Sequence, residues 1–134
     1  MNGESRPSAV SLRPRNILIR SHRDLIVWQK AMDLAVLHRL TVGFPRSELY
    51  SLVSQVRRSA ASLSANIAEG RGRHSTKDFA HFVSVARGSL METETFLLFA
   101  IRLDYLTNEQ AKPALGLTME IGKMLTALKL HLSE

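Results

Sequence analysis

The chain has 134 residues, 45% of them apolar, with 18 Lys and Arg against 12 Asp and Glu and no cysteine. That length suits one domain around one core. The lack of cysteine excludes a disulfide framework and thiolate catalysis, and no apolar run nears the roughly 20 residues needed to cross a bilayer.

The first 23 residues carry five arginines (Arg6, Arg13, Arg15, Arg20, Arg23) against Glu4, a net of +4, while the remaining 111 residues carry only +2. Pro7, Pro14 and several serines sit among them, and no apolar signal core or small-residue cleavage site opens the chain. Residues 1–23 therefore read as a disordered basic tail, and the protein reads as cytoplasmic, with no membrane contact. Residues 24–134 read as a single helical domain.

The first helix is expected from Asp24, a good N-cap, with Leu25, Trp28, Met32, Ala35 and Val36 as its apolar stripe, and is expected to end near Gly43-Phe44-Pro45. The second is expected from Ser47 to Glu69, with Gly70 as its stop. Its stripe is Leu49, Leu52, Val53, Val56, Ala60, Leu63 and Ile67 at about 100° per residue. The third opens at Ser75 or Thr76, with Ser75 and Asp78 resembling a capping box. It runs to about Tyr105 on Phe79, Phe82, Val83, Ala86, Leu90, Leu97 and Ile101. The fourth opens on the capping box of Thr107 and Gln110 and continues through Leu115, Ile121, Leu125, Leu128 and Leu132. Gly116 and Gly122 weaken it by about 1 kcal/mol each relative to alanine, a cost that close approach of a neighbour would explain. Short connections make consecutive helices antiparallel, which gives an all-α, up-down four-helix bundle.

Some apolar residues exceed one stripe per helix. Val85, Phe96, Phe99 and Leu103 form a second face on the third helix, and Leu117 and Met124 widen that of the fourth. Surplus apolar surface calls for a partner, most simply further copies of the chain. On the second helix Gln55, Arg58, Ser59, Ser62, Asn66 and Glu69 share a polar face flanked by alanines and serines. Its alternatives are a hydrogen-bonded helix contact, a subunit contact or a ligand surface.

The cations Arg57, Arg58, Arg71, Arg73, Lys77 and Arg87 concentrate between positions 57 and 87, opposed there by only Glu69 and Asp78. Arg71, Arg73 and His74 precede a helix N-terminus, where guanidinium groups, backbone N–H groups and the helix dipole all favour phosphate. These residues are the candidate nucleic-acid contacts, for RNA or DNA alike, and such binding weakens with salt. Glu92 and Glu94 point in different directions and read as ion-pair partners of Arg57, Arg58 or Arg87 rather than as an acid–base pair. His74, Asp78 and His81 lack a fourth ligand for a metal. With no Ser–His–carboxylate set, phosphate loop or dinucleotide fingerprint, the chain reads as a non-enzyme without cofactor or metal.

Three motifs carry a family resemblance: the segment Asp24 to Leu34 (DLIVWQKAMDL), the pair SQVRRSA at 54–60 and SANIAEG at 64–70, and GSLMETET at 88–95. Over about residues 24–132 they resemble the bacterial four-helix bundle proteins encoded in intervening sequences of large-subunit ribosomal RNA genes. The accessory variability determinant of diversity-generating retroelements is similar. The resemblance implies a homopentameric barrel, no known catalysis and, from the retroelement relatives, binding of nucleic acid and a reverse transcriptase through a basic surface. Arg57 and Arg58 match the family's paired arginines. The chain departs at Ser64, where proline is frequent, at Thr93, where leucine is usual, and at Phe96, where glutamine is common. Two readings stand: an oligomeric scaffold that binds nucleic acid electrostatically, and a module that binds protein alone.

Overall fold

A computed structural model describes residues 21–133; the expected tail thus falls outside it except for its last three residues. The described residues are all helical in class, without strands. Four helices, α1 (Ile26–Val36), α2 (Ser54–Arg71), α3 (Thr76–Arg102) and α4 (Asn108–Leu132), are joined by shorter helical turns. The closest packing is α2 on α3. Contacts of α3 with α4 and of α1 with both α2 and α4 complete a four-helix bundle.

Residues 21–23 are folded, against the expectation of disorder. Ser21 Oγ accepts from Arg23 N at 3.2 Å, and Asp24 returns a carboxylate to Ser21 N at 3.3 Å. This box caps a 3-10 turn, His22–Asp24, so Asp24 does not cap α1 itself. Leu25 follows in extended backbone and α1 starts only at Ile26. That offset shifts the helical phase. Val27, Ala31 and Leu34 are buried, while Met32 and Val36 of the expected stripe are exposed.

The connection to α2 departs most from expectation. A 3-10 segment, Leu37–Gly43, leads to a second 3-10 turn, Arg46–Glu48, and a π turn, Leu49–Val53, before α2 proper. Thr41 is buried and accepts both Nε and Nη2 of Arg57, at 3.3 and 3.1 Å. The cap here is Glu48 rather than Ser47. Its Oε1 accepts from Ser51 Oγ and, at 3.4 Å, from Leu52 N, while Oε2 accepts from Tyr105 OH at 2.7 Å. The Phe44 ring packs against Tyr105 with centroids 5.2 Å apart. Long-range side-chain bonds thus hold turns that local propensity alone would make α-helical.

Gly70 does not stop α2, which continues to Arg71 with Gly72 as its C-cap. Gly70 is instead a packing position: a Cβ there would lie 2.8 Å from Phe82 Cβ and 3.0 Å from Phe79 Cδ1. Its missing side chain lets the start of α3 sit close on the end of α2. The polar face of α2 proves to be a hydrogen-bonded helix contact. Thr93 Oγ1 donates to Ser59 Oγ at 2.8 Å and lies 2.9 Å from Ser89 O. Ser62 Oγ bonds Ser89 Oγ at 2.9 Å, and Asn66 Nδ2 donates to Ser62 O at 2.8 Å. No buried side-chain nitrogen or oxygen among the described residues lacks a partner, so hydrogen bonds offset the desolvation of this seam.

Ser75 caps α3 by accepting from Asp78 N at 3.1 Å. The helix ends at Arg102, three residues before Tyr105, because Asp104 takes up a left-handed conformation with φ 62°. Aspartate tolerates that region better than most residues, and the turn brings Tyr105 N to Ala100 O at 2.9 Å. The Thr107–Gln110 capping box forms as expected. Gly116 meets nothing within 4 Å, and a Cβ on Gly122 would touch only Leu90 Cδ2, at an ordinary 3.5 Å. Neither glycine is required by packing within the chain. Leu117 and Met124 pack against the core, so the wide face of α4 is partly absorbed by the fold itself. No described helix is long and apolar enough to cross a membrane.

Candidate nucleic-acid interface

The six cations near one another in sequence occupy three separate places. Arg57 and Arg58 lie in the first turn of α2. Arg71, Arg73 and Lys77 lie around the α2–α3 turn. From Arg58 to Arg71 is about 20 Å along the helix at 1.5 Å per residue. Arg87 lies on the side of α3 toward α4, beside Lys123.

At the first place, Arg57 is committed to Thr41, as described. Arg58 donates to Gln55 Oε1 and forms an ion pair with Glu92 at 3.0 Å. Both arginines remain exposed, so their charge is open to an approaching phosphate. The Arg58–Glu92 pair matches the partner expected for Glu92. Glu94 differs: it is half-buried and makes no ion pair with any described residue.

At the second place, Arg71, Arg73 and His74 wall a cavity of about 260 Å³ whose apolar sides are Leu25, Phe79 and Leu132. Phe79, one of those sides, lies close against Gly70. Arg73 pairs with Glu69 at 2.7 Å, and its guanidinium stands 4.7 Å above the centre of the Phe82 ring. That cation–π contact is worth about 0.5–1 kcal/mol at an exposed site. Lys77 is exposed one residue into α3. Two surface ion pairs within the basic set, Arg58–Glu92 and Arg73–Glu69, are the kind worth at most about 1 kcal/mol; a phosphate displaces such a carboxylate at small cost.

No three His, Asp or Glu side chains among the described residues come close enough to hold a metal ion. His74 is exposed in the turn, and His81 packs edge-on to Phe82 at 5.3 Å. Of the expected apolar face on α3, Phe99 is 53% exposed, Leu103 and Val85 are also exposed, and Phe96 is half-buried. Sequence reasoning missed exposed apolar groups elsewhere: Met91 and Leu98 on α3, and Met119 and Leu130 on α4.

The model of the 23S rRNA-intervening sequence protein family matches residues 23–127. The chain belongs to that family. A crystal structure of a protein of unknown function from the S23 ribosomal protein family of Bacteroides thetaiotaomicron is similar, at 30% identity and a TM-score of 0.69. The alignment covers 76% of this chain and 96% of that one. A search of curated proteins finds no match. The family match spans the start of α1 through most of α4, so every residue of the basic set lies within the family's own domain.

Proposed function

We propose that this member of the family is a non-catalytic, homo-oligomeric scaffold, an antiparallel up-down bundle that binds RNA or DNA electrostatically along α2. The observation that carries the reading is the placement of cations at both ends of one helix, exposed Arg57 and Arg58 at its start and half-buried Arg71 with exposed Arg73 and Lys77 about its end. Two cationic ends about 20 Å apart reach separate phosphates of one nucleic acid. The family's description, 23S rRNA-intervening sequence protein, names a genetic location and not a ligand, so RNA and DNA are tested alike. For α2 and α3 the antiparallel arrangement is supported by contacts that climb α2 as they descend α3, from Arg58–Glu92 to Ser62–Ser89 to Gly70–Phe82.

Assembly is supported by the exposed apolar groups Val85, Phe99 and Leu103 beside half-buried Phe96 on one flank of α3. A closed ring, with five copies favoured, covers such a face on every subunit. Light scattering on the full chain is then expected to give about five times the 15.0 kDa mass, and Phe99→Glu with Leu103→Glu to give the monomer. A clean wild-type monomer at micromolar concentration would overturn the assembly.

Binding is tested by titrating labelled 20-nucleotide RNA and DNA at several salt concentrations. The expected result is an affinity that falls steeply with salt, its slope reduced by roughly 1–2 in Arg71→Ala/Lys77→Ala and again in Arg57→Ala/Arg58→Ala. If all three proteins bind alike while remaining folded, the ordered domain does not carry the affinity. The protein-only module is then the better reading.

A further inference from the structure

The opposite flank of α3 has a different character. Arg87, Met91 and Glu94 form one wall of a groove, and Met119, Lys123 and Leu130 of α4 form the other. Its volume is about 510 Å³. Met119 and Leu130 are 64% and 65% exposed, and Met91 and Leu98 are exposed along the same flank. Arg87, Glu94 and Lys123 make no ion pair or hydrogen bond with any described residue. In contrast, Glu120, next along α4 and paired toward α1, is satisfied by Lys30 at 2.9 Å.

We propose that this α3–α4 groove receives an amphipathic helix of a partner protein, with acidic residues flanking its apolar stripe. Three features support that occupant. First, the shape suits a helix. Arg87, Met91, Glu94 and Leu98 repeat at spacings of four, three and four, and Met119, Lys123, Thr126 and Leu130 do the same on α4. Each run rises about 16 Å, or three turns, the pattern by which one helix seats against two others. Second, the chemistry of the walls suits a side-chain stripe. Methionine is flexible and polarizable and repacks around incoming leucine or isoleucine. Third, the charge is lopsided. One cation stands on each wall, Arg87 and Lys123, while Glu94 is the single acid lining the groove. An incoming helix with Glu or Asp on both flanks meets a cation on each side, and a helix with Lys on both flanks meets repulsion on each side. This inference does not rest on nucleic-acid binding, since it uses neither end of α2.

The test uses a pair of fluorescent three-heptad peptides with Leu at positions a and d. One carries Glu at e and g, the other Lys. Fluorescence anisotropy with the full chain is expected to show the Glu peptide binding at least about tenfold more tightly than its Lys twin. Met119→Glu, at a position too exposed to threaten the fold, is expected to weaken the Glu peptide by at least about tenfold. Arg87→Glu with Lys123→Glu is expected to reverse the preference, so that the Lys peptide binds better. Equal binding of both peptides, or binding of neither, would sink the proposal. So would a Met119→Glu variant that breaks the oligomer into monomers, which would make a second copy the occupant. A 20-nucleotide RNA whose affinity drops on Arg87→Glu and Lys123→Glu, with no peptide bound, would instead assign the groove to nucleic acid.

Discussion

On the side of α3 that faces α2, Ser59, Ser62, Asn66, Ser89 and Thr93 satisfy one another's hydrogen bonds. On the side toward α4, Arg87, Glu94 and Lys123 find no partner in the described chain, and Met119 and Leu130 stand in solvent. The same helix therefore has a seam completed within the chain and a groove that is not. In the first, small side chains bring two backbones together and every polar atom that this buries is answered. In the second, larger side chains hold the surface open and its charges face outward. The difference separates what the sequence spends on folding from what it leaves available for association.

The completed seam is the place to break first. Gly70→Ala puts a Cβ 2.8 Å from Phe82 Cβ, an atom attached directly to the α3 backbone. Relief requires the helices to shift, so a loss of roughly 1–3 kcal/mol is expected from urea melts. A neutral result would mean that α2 and α3 slide freely and that the seam does not fix their register. Thr93→Val and Ser59→Ala probe the polar part. Each single change removes the bond between the two hydroxyls, while the survivor keeps a backbone carbonyl, Val56 O for Ser59 or Ser89 O for Thr93, and is expected to cost about 0.5–1.5 kcal/mol. The double variant removes both groups and is expected to cost less than the two singles combined. Strict additivity would show that Thr93 and Ser59 do not stabilise each other.

Much of this half of the molecule was legible in advance. The stripes of α2 and α3 and the caps at Ser75 and Thr107 depend on neighbours three or four residues away, the range over which sequence pattern operates. The phase of α1 was not legible, since Leu25 looks like a stripe residue but sits in an extended cap outside the helix. Nor was the stretch from Leu37 to Val53, whose 3-10 and π turns are held by Thr41 to Arg57, 16 residues on, and by Glu48 to Tyr105, 57 residues on. The basic residues were found but wrongly grouped. Sequence proximity set Arg57 beside Arg71, whereas helix length parts them and helix phase carries Arg87 to another face. The groove left a signal in Met119 and Leu130, exposed apolar residues three turns apart on α4, that a search for core stripes passes over.

Gly88 and Gly116 sharpen the contrast from the open side. Both lie inside helices, where glycine costs about 0.5–1 kcal/mol relative to alanine, and beyond the adjacent helix backbone nothing described lies within 4 Å of the place a Cβ would take. Within an isolated chain, Gly88→Ala and Gly116→Ala are each expected to raise stability by about that amount. Thermal melts at low protein concentration measure this. At concentrations where the chain assembles, a gain that turns to a loss would place a neighbouring subunit against that glycine.

The smallest effect belongs to the end of the bundle where Glu48 meets Tyr105. Hydrogen bonds from Ser51, from the Tyr105 hydroxyl and from Leu52 N hold the Glu48 carboxyl below its usual 4.5, and the same contact holds the Tyr105 phenol above its usual 10.0. A depressed carboxylate stabilises the fold above pH 4.5 and loses that contribution as pH falls through its folded value. The raised phenol stabilises below pH 10.0 and loses its contribution as pH rises through its own folded value. Tyr105→Phe removes one donor to Glu48, so its melting temperature is expected to trail the wild type at neutral pH and to converge on it in acid. A gap that stays constant from neutral pH into acid would trace the Tyr105 contribution to ring packing on Phe44 rather than to the carboxylate.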